Sequence, residues 1–224
     1  MSAILISGAG RGLGLELATQ YAKDGWQVIG TVRDDAAGKR LEKMGIEAHA
    51  LDVSDFARAR ELARRLKGRA LDVLFCNAGI IGQRGMALGS FDYQSWDEVM
   101  RVNVLGAAAM AEALVDNVAA SEKKTIAMMS SRLGSITESS GATLPYATSK
   151  AALNMLVKGL ASSLGGRDVK VVALSPGWVR TDMGGAGAAL DPETSVAGLR
   201  KVLAGLKAGD SGKFFSYDGS PIPW

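Results

Sequence analysis

The chain has 224 residues, 47% hydrophobic and 22% charged, with 26 Lys and Arg against 23 Asp and Glu for a net charge of +3. That length and apolar content suit one α/β domain with a buried core and exclude a disordered chain. The mild basicity, with a pI of about 9.0, contains no Lys/Arg run of the kind that marks a nucleic-acid partner, so none is expected; it suits the attraction of a phosphate-rich ligand.

Cys76 is the one cysteine, which excludes an internal disulfide framework and fits a reducing compartment. The opening Met1-Ser2-Ala3-Ile4-Leu5-Ile6 has no basic segment and too short an apolar run for a signal peptide. No stretch approaches the roughly 20 apolar residues needed to span a bilayer. A cytoplasmic protein without a membrane partner is therefore expected.

Short apolar runs alternate with longer helical patterns, the mark of βαβ units around a parallel sheet. Residues 3–7 read as the first strand and 12–23 as a helix with Leu13, Leu17, Ala18 and Tyr21 on one face. Strands follow at 27–32, 46–51 and 71–75, with helices at 34–44 and 54–66 between them. Residues 95–117 predict a long helix or a bent pair, and 125–130 a fifth strand. Residues 145–164 predict a strong helix, with Pro145 in its first turn and Gly165-Gly166 stopping it. Strand six is expected at 169–174, a helix at 192–206 and a short last strand at 213–215. The pattern predicts a Rossmann-type, doubly wound parallel sheet of about seven strands with helices on both faces. It forms a single domain over 1–224. Gly184-Gly185-Ala186-Gly187-Ala188-Ala189 is the most flexible-looking stretch.

Gly8, Gly10, Gly12 and Gly14 follow the first strand and open a helix, the context a dinucleotide fingerprint requires. Glycines let the backbone approach a pyrophosphate, and the helix N-terminus offers free N–H groups to its charge; a tight turn alone would use the same residues. Tyr146 and Lys150 lie four apart on a predicted helix and so share a face. A neighbouring cation favours phenolate and is expected to draw the tyrosine toward neutral pKa. Ser130, Ser131 and Ser135 are all candidates to hold a substrate oxygen. His49 stands in no metal-ligand pattern, and no metal is expected.

Gly8-x-x-x-Gly12-x-Gly14, Asn77-Ala78-Gly79, Asn103, Ser131, Tyr146-x-x-x-Lys150 and Pro176-Gly177 occur in the order, and at roughly the spacing, of the short-chain dehydrogenase/reductase family. The resemblance runs from residue 7 to about residue 181. Residues 176–185 and the tail 212–224 resemble a narrower branch, the C-factor-like proteins and sniffer-type carbonyl reductases. The resemblance implies that Ser131, Tyr146, Lys150 and Asn103 are the catalytic set. In the family Asn103's counterpart bends its helix and holds a water that reaches the lysine. Ser131 matches the usual serine position, although its gap to Tyr146 is about two residues longer than usual. Cofactor contacts are implied at Gly8, Arg11, Gly12, Leu13, Gly14, Arg33, Asp52, Val53, Asn77, Ala78, Gly79, Tyr146, Lys150, Pro176, Gly177, Val179 and Thr181. A short substrate lid is implied at about 182–191.

Arg33 ends strand two, where NAD-using relatives carry an acidic residue for the ribose hydroxyls. A guanidinium there attracts a 2′-phosphate instead, and Arg11 occupies a position that faces the same region in NADP-preferring members. NADP(H) is therefore expected over NAD(H), with Asp34 as a possible partial neutraliser of Arg33 and two solvated surface arginines as the plain alternative. The implied activity is NADPH-dependent hydride transfer to a small-molecule carbonyl, or from an alcohol. The other readings are a dinucleotide-binding regulatory protein of the C-factor kind and a nucleotide-sugar epimerase, for which few residues follow Thr181. Family members are often homodimers or homotetramers, and either is expected.

Overall fold

The computed structural model describes residues 1–85, 88–141 and 143–224. β1 (Ala3–Ile6), β2 (Gln27–Val32), β3 (Glu47–Ala50), β4 (Val73–Cys76), β5 (Thr125–Met129), β6 (Lys170–Ser175) and β7 (Phe214–Ser216) form one sheet in the order β3-β2-β1-β4-β5-β6-β7. Every neighbouring pair is parallel. The strands carry near-continuous apolar runs because both faces of the sheet are covered. Alternate residues feed two cores. Leu5, Leu74, Cys76, Ile126, Met128, Val171 and Ala173 point to one face. There they meet α3 (Phe56–Arg65), α5 (Ala107–Ala119) and α6 (Leu144–Leu164). Ile4, Ile6, Val73, Phe75, Ala127, Val172 and Leu174 point to the other, against α1 (Gly12–Lys23), α2 (Asp35–Lys43) and α7 (Pro192–Ala204).

Strand order reverses between β1 and β4, so their C-terminal ends diverge to opposite sides and open a crevice above the sheet, the usual ligand position in such folds. The register Ile6↔Phe75 places the glycine-rich turn after β1 directly beside Asn77-Ala78-Gly79 after β4.

α2, α3, α7 and α4 (Tyr93–Met100) each open on an aspartate whose side chain accepts from a first-turn amide: Asp34, Asp55, Asp191 and Asp92. Such caps satisfy donors that a helix start leaves free. α1 opens on Arg11 with no side-chain cap, which leaves those amides facing the crevice.

The stretch expected as a long helix or bent pair is one continuous helical run of 27 residues, Tyr93–Ala119. It widens into a π-helical segment at Arg101–Gly106 between α4 and α5. By length and composition this run could cross a membrane, which corrects the expectation that no stretch approaches spanning length. Half of its most apolar window is buried in the domain, and Met110, Ala111, Leu114 and Val118 sit in the core. Its apolar character is that of a core helix.

Candidate active site

A cleft of about 490 Å³ runs along the C-terminal edge of β1, β2, β4 and β5, bounded at one end by Arg33 and Arg40 and at the other by Tyr146 and Lys150. Its floor is stitched by short-range bonds. The Ser7 hydroxyl accepts from the amides of Asn77 and Ala78 at 3.0 and 3.1 Å. The Asn77 side chain donates to the carbonyls of Ser7 and Gly8 at 3.0 and 3.1 Å. A Cβ on Gly14 would lie 2.1 Å from the Gly8 carbonyl oxygen and 2.5 Å from Asn77 Nδ2. Only glycine lets α1 start this close to the turn.

At the β2 end, Arg33 and Asp34 both line the cleft. The Asp34 carboxylate accepts from the Ala37 amide at 2.8 Å, so it is engaged as the cap of α2. Partial burial pushes the Asp52 carboxyl up, and this is outweighed by hydrogen bonds from Ser54 and the charges of Arg33 and Arg101, which hold it below the usual carboxylate range. Arg11 pairs with Asp182 at 3.1 Å across the cleft mouth. With side chains 72% and 81% exposed, that surface pair contributes little stability and breaks readily. The structure adds Arg40 of α2, which lines the cleft and donates to the Gly10 carbonyl.

At the β5 end, the Ser131 hydroxyl lies in hydrogen-bonding reach of the Tyr146 phenol. Lys150 Nζ donates to the Met129 carbonyl at 2.7 Å and stands 5.4 Å from the Tyr146 ring centre. Burial pushes the phenol up to about 12, opposed by the Ser131 hydrogen bond, and brings the lysine down to about 8. This corrects the expectation of a tyrosine drawn down by its lysine. Desolvation disfavours both charged forms. The phenol is therefore a protonated donor at neutral pH.

The three serines separate cleanly. Ser130 donates to Asn154 Oδ1 at 2.6 Å, and Ser135 donates to the Pro223 carbonyl at 2.6 Å. Ser131 is the one that faces Tyr146. Asn103 sits within the π-helical segment, 1% exposed. Its Nδ2 donates to the Ile80 carbonyl and the Ser149 hydroxyl at 2.9 Å each, and its Oδ1 accepts from the Ile80 amide at 2.8 Å. Such segments recur at functional sites, and this one turns a buried amide toward α6 beside Lys150.

The residues brought together match one family along most of the chain: residues 2–189 match the short chain dehydrogenase family. The chain belongs to that family. Within it, the chain is 38% identical to the C-signal protein of Myxococcus xanthus over 155 residues, covering 69% of this chain and 93% of that one. The carbonyl reductase Sniffer of D. melanogaster superposes with a TM-score of 0.92 at 31% identity, over 100% of both chains. An NADPH-bound carbonyl reductase from chicken fatty liver gives 0.90 at 29% identity, over 100% of this chain and 99% of that one. This short-chain dehydrogenase is thus an oxidoreductase with a Rossmann-like parallel sheet.

Of the residues its motifs single out, Gly8, Arg11, Gly12, Leu13, Gly14, Arg33, Asp52, Val53, Asn77, Ala78, Gly79, Tyr146, Lys150, Pro176 and Thr181 line the cleft. Asn103, Ser131, Gly177 and Val179 are not among the lining residues. Val179 is buried and bridges to Leu190. In and beside the glycine-rich stretch, Trp178 Nε1 donates to the Gly184 carbonyl at 2.9 Å, Arg180 Nη1 to the Ala188 carbonyl at 3.1 Å, and the Arg180 amide to the Leu190 carbonyl at 2.8 Å. Arg40 lies outside the motifs. Its spacing offers a signal, because it follows Ala36 by four residues and Ala37 by three, and all three line the cleft. Cys76 is buried with its thiol pushed up to about 12 by burial, as an inert core residue.

Proposed function

We propose that this enzyme reduces carbonyl compounds with NADPH. The observation that carries the reading is Ser131 in hydrogen-bonding reach of Tyr146, which with Lys150 lines one end of a cleft whose other end holds Arg33 and Arg40. The residues fit a dinucleotide on three counts. The turn is too close for any side chain at Gly14, α1 has an uncapped N-terminus suited to a pyrophosphate, and the guanidinium groups of Arg33 and Arg40 line the cleft after β2, chemistry suited to a phosphate. The cleft volume falls in the range of small-molecule and cofactor sites. The chicken relative with bound NADPH supports the same choice.

A dinucleotide held by the glycine-rich turn and the start of α1 would supply the hydride for the carbonyl carbon. The Ser131 hydroxyl donates to the carbonyl oxygen and orients it. The Tyr146 phenol passes its proton to that oxygen as charge develops on it. The phenolate left behind is stabilised by the Lys150 ammonium, which is protonated below about pH 8. Asn103 holds Ser149 and the Ile80 loop in place behind Lys150. A purely regulatory role is not favoured, because a cofactor shelf alone has no need of Ser131 and Tyr146 in contact.

The test is turnover of aldehydes and ketones with NADPH and NADH, for wild type and Tyr146→Phe. Wild type is expected to consume NADPH. The Phe variant should keep cofactor affinity and lose about 100- to 10,000-fold in kcat, the usual contribution of a general acid. Near wild-type turnover by the Phe variant would overturn the assignment.

A further inference from the structure

The loop between β5 and α6 carries Ser131, while Tyr146 and Lys150 ride on α6 itself, so the reacting hydroxyls sit on separate elements. Asn154 of α6 bonds to that loop on both sides of Ser131. Asn154 follows Lys150 by four residues and Tyr146 by eight, which puts all three on one face of the helix. It is 4% exposed, among the apolar neighbours Leu153 and Val157. Its Oδ1 accepts from the Ser130 hydroxyl at 2.6 Å, and its Nδ2 donates to the Gly134 carbonyl at 3.0 Å. These contacts lie on either side of Ser131, one residue before it and three after. The clasp needs an acceptor and a donor on one short side chain, which among residues of this size is the property of an amide. Other contacts tie the loop elsewhere. The Arg132 amide donates to Ser175 Oγ at 3.1 Å and Ser135 to the Pro223 carbonyl, which anchor the loop to β6 and the tail. Asn154 alone among these anchors belongs to the helix that bears the tyrosine.

We propose that Asn154 is a positioning residue: by clasping both flanks of Ser131 it holds the serine hydroxyl in register with the Tyr146 phenol, and turnover depends on it although it touches neither substrate nor cofactor. The proposal rests on the carbonyl-reductase reading of Ser131 and Tyr146. A misplacement of about 1 Å can cost on the order of 100-fold in rate, so loosening this clasp is felt in kcat.

The test is a double-mutant cycle on the full chain with Asn154→Leu, Ser131→Ala and the pair. The probes are NADPH with benzaldehyde, acetophenone or cyclohexanone, whichever is turned over fastest. Asn154→Leu is expected to lower kcat about 10- to 100-fold, with NADPH affinity by fluorescence titration unchanged within about twofold. Ser131→Ala alone should lose about 100- to 1,000-fold. In the Ser131→Ala background, Asn154→Leu should cost less than about threefold more, because residues acting through one another are not additive. An equal loss in both backgrounds, or no loss in the single variant, overturns the proposal. A wild-type rate for Ser131→Ala, or no turnover of any probe, instead removes the reading of the site on which the proposal stands. If Asn154→Leu does not fold, Ser130→Ala and Asn154→Asp each break one contact of the clasp. Each should then show a smaller kcat loss that vanishes in the Ser131→Ala background, and persistence of that loss overturns the proposal.

Discussion

Ser131, Ser130 and Ser135 lie within five residues of one another, yet their partners divide their tasks. Ser131→Ala is expected to lower kcat by about 100- to 1,000-fold, the cost of losing one oxyanion-type donor, while Ser135→Ala, whose hydroxyl is committed to the Pro223 carbonyl, should cost far less. Steady-state kinetics on the two purified variants decide it, and a larger loss at Ser135 would contradict the geometry. Lys150 permits a prediction of a different kind. Its folded pKa of about 8 lies below the ordinary 10.5, so between those values the unfolded chain binds more protons than the folded one and stability rises with pH. The lysine's contribution is present above about pH 10.5 and lost as pH falls through about 8, a change on the order of 3 kcal/mol. In denaturant unfolding across that window, wild type should gain on Lys150→Met by roughly this amount. The raised phenols of Tyr21 and Tyr146 oppose it in both proteins. A difference between the two proteins that does not change with pH would mean the lysine is not desolvated as described.

The β5–α6 loop and α6 approach each other through Gly134. A Cβ there would lie 2.7 Å from the carbonyl carbon and Cβ of Lys150. Gly134→Ala must therefore push the loop off the helix. The expected stability loss is about 1–3 kcal/mol, typical of overpacking, with a kcat loss that exceeds it in proportion because Ser131 moves with the loop. Thermal unfolding together with kinetics checks both, and unchanged kcat would show that the loop absorbs a methyl without displacing the serine. The helix ends follow the same economy. α2, α3, α4 and α7 carry aspartate caps, and α1, which faces the cleft, has no side-chain cap.

Across the whole molecule, the cleft joins two ends whose chemistry is separable. Arg33 and Arg40 lie at the β2 end, far along the sheet edge from Tyr146. A charge-assisted contact to the 2′-phosphate contributes roughly 1.5–3 kcal/mol, about one to two powers of ten in affinity. Wild type should bind NADPH at least about tenfold more tightly than NADH. Arg33→Asp should narrow or reverse that gap without moving kcat at saturating cofactor, because Ser131, Tyr146 and Lys150 are untouched. Fluorescence titration at fixed ionic strength is the measurement, since salt screens exposed charge pairs. Equal affinities in wild type would remove the preference and turn attention to Asp34.

Strand and helix positions were legible from the alternation of apolar runs, to within one or two residues at most ends. The glycine turn after β1 and the four-residue spacing of Tyr146 and Lys150 are local patterns that the sequence shows directly, whereas Asn77 and Asn103 were singled out only by the resemblance to the family. Local pattern could not choose among Ser130, Ser131 and Ser135. That choice depends on which hydroxyl Asn154, Pro223 and Tyr146 each reach, and those partners are distant in sequence. The π-helical widening at Arg101–Gly106, the strand order that opens the crevice and Arg40's place in the cleft are likewise products of packing between elements. The sign of the tyrosine's shift is tertiary as well. Spacing alone puts a cation near the phenol, but the burial that pushes the phenol up exists only once the helix is seated against the sheet.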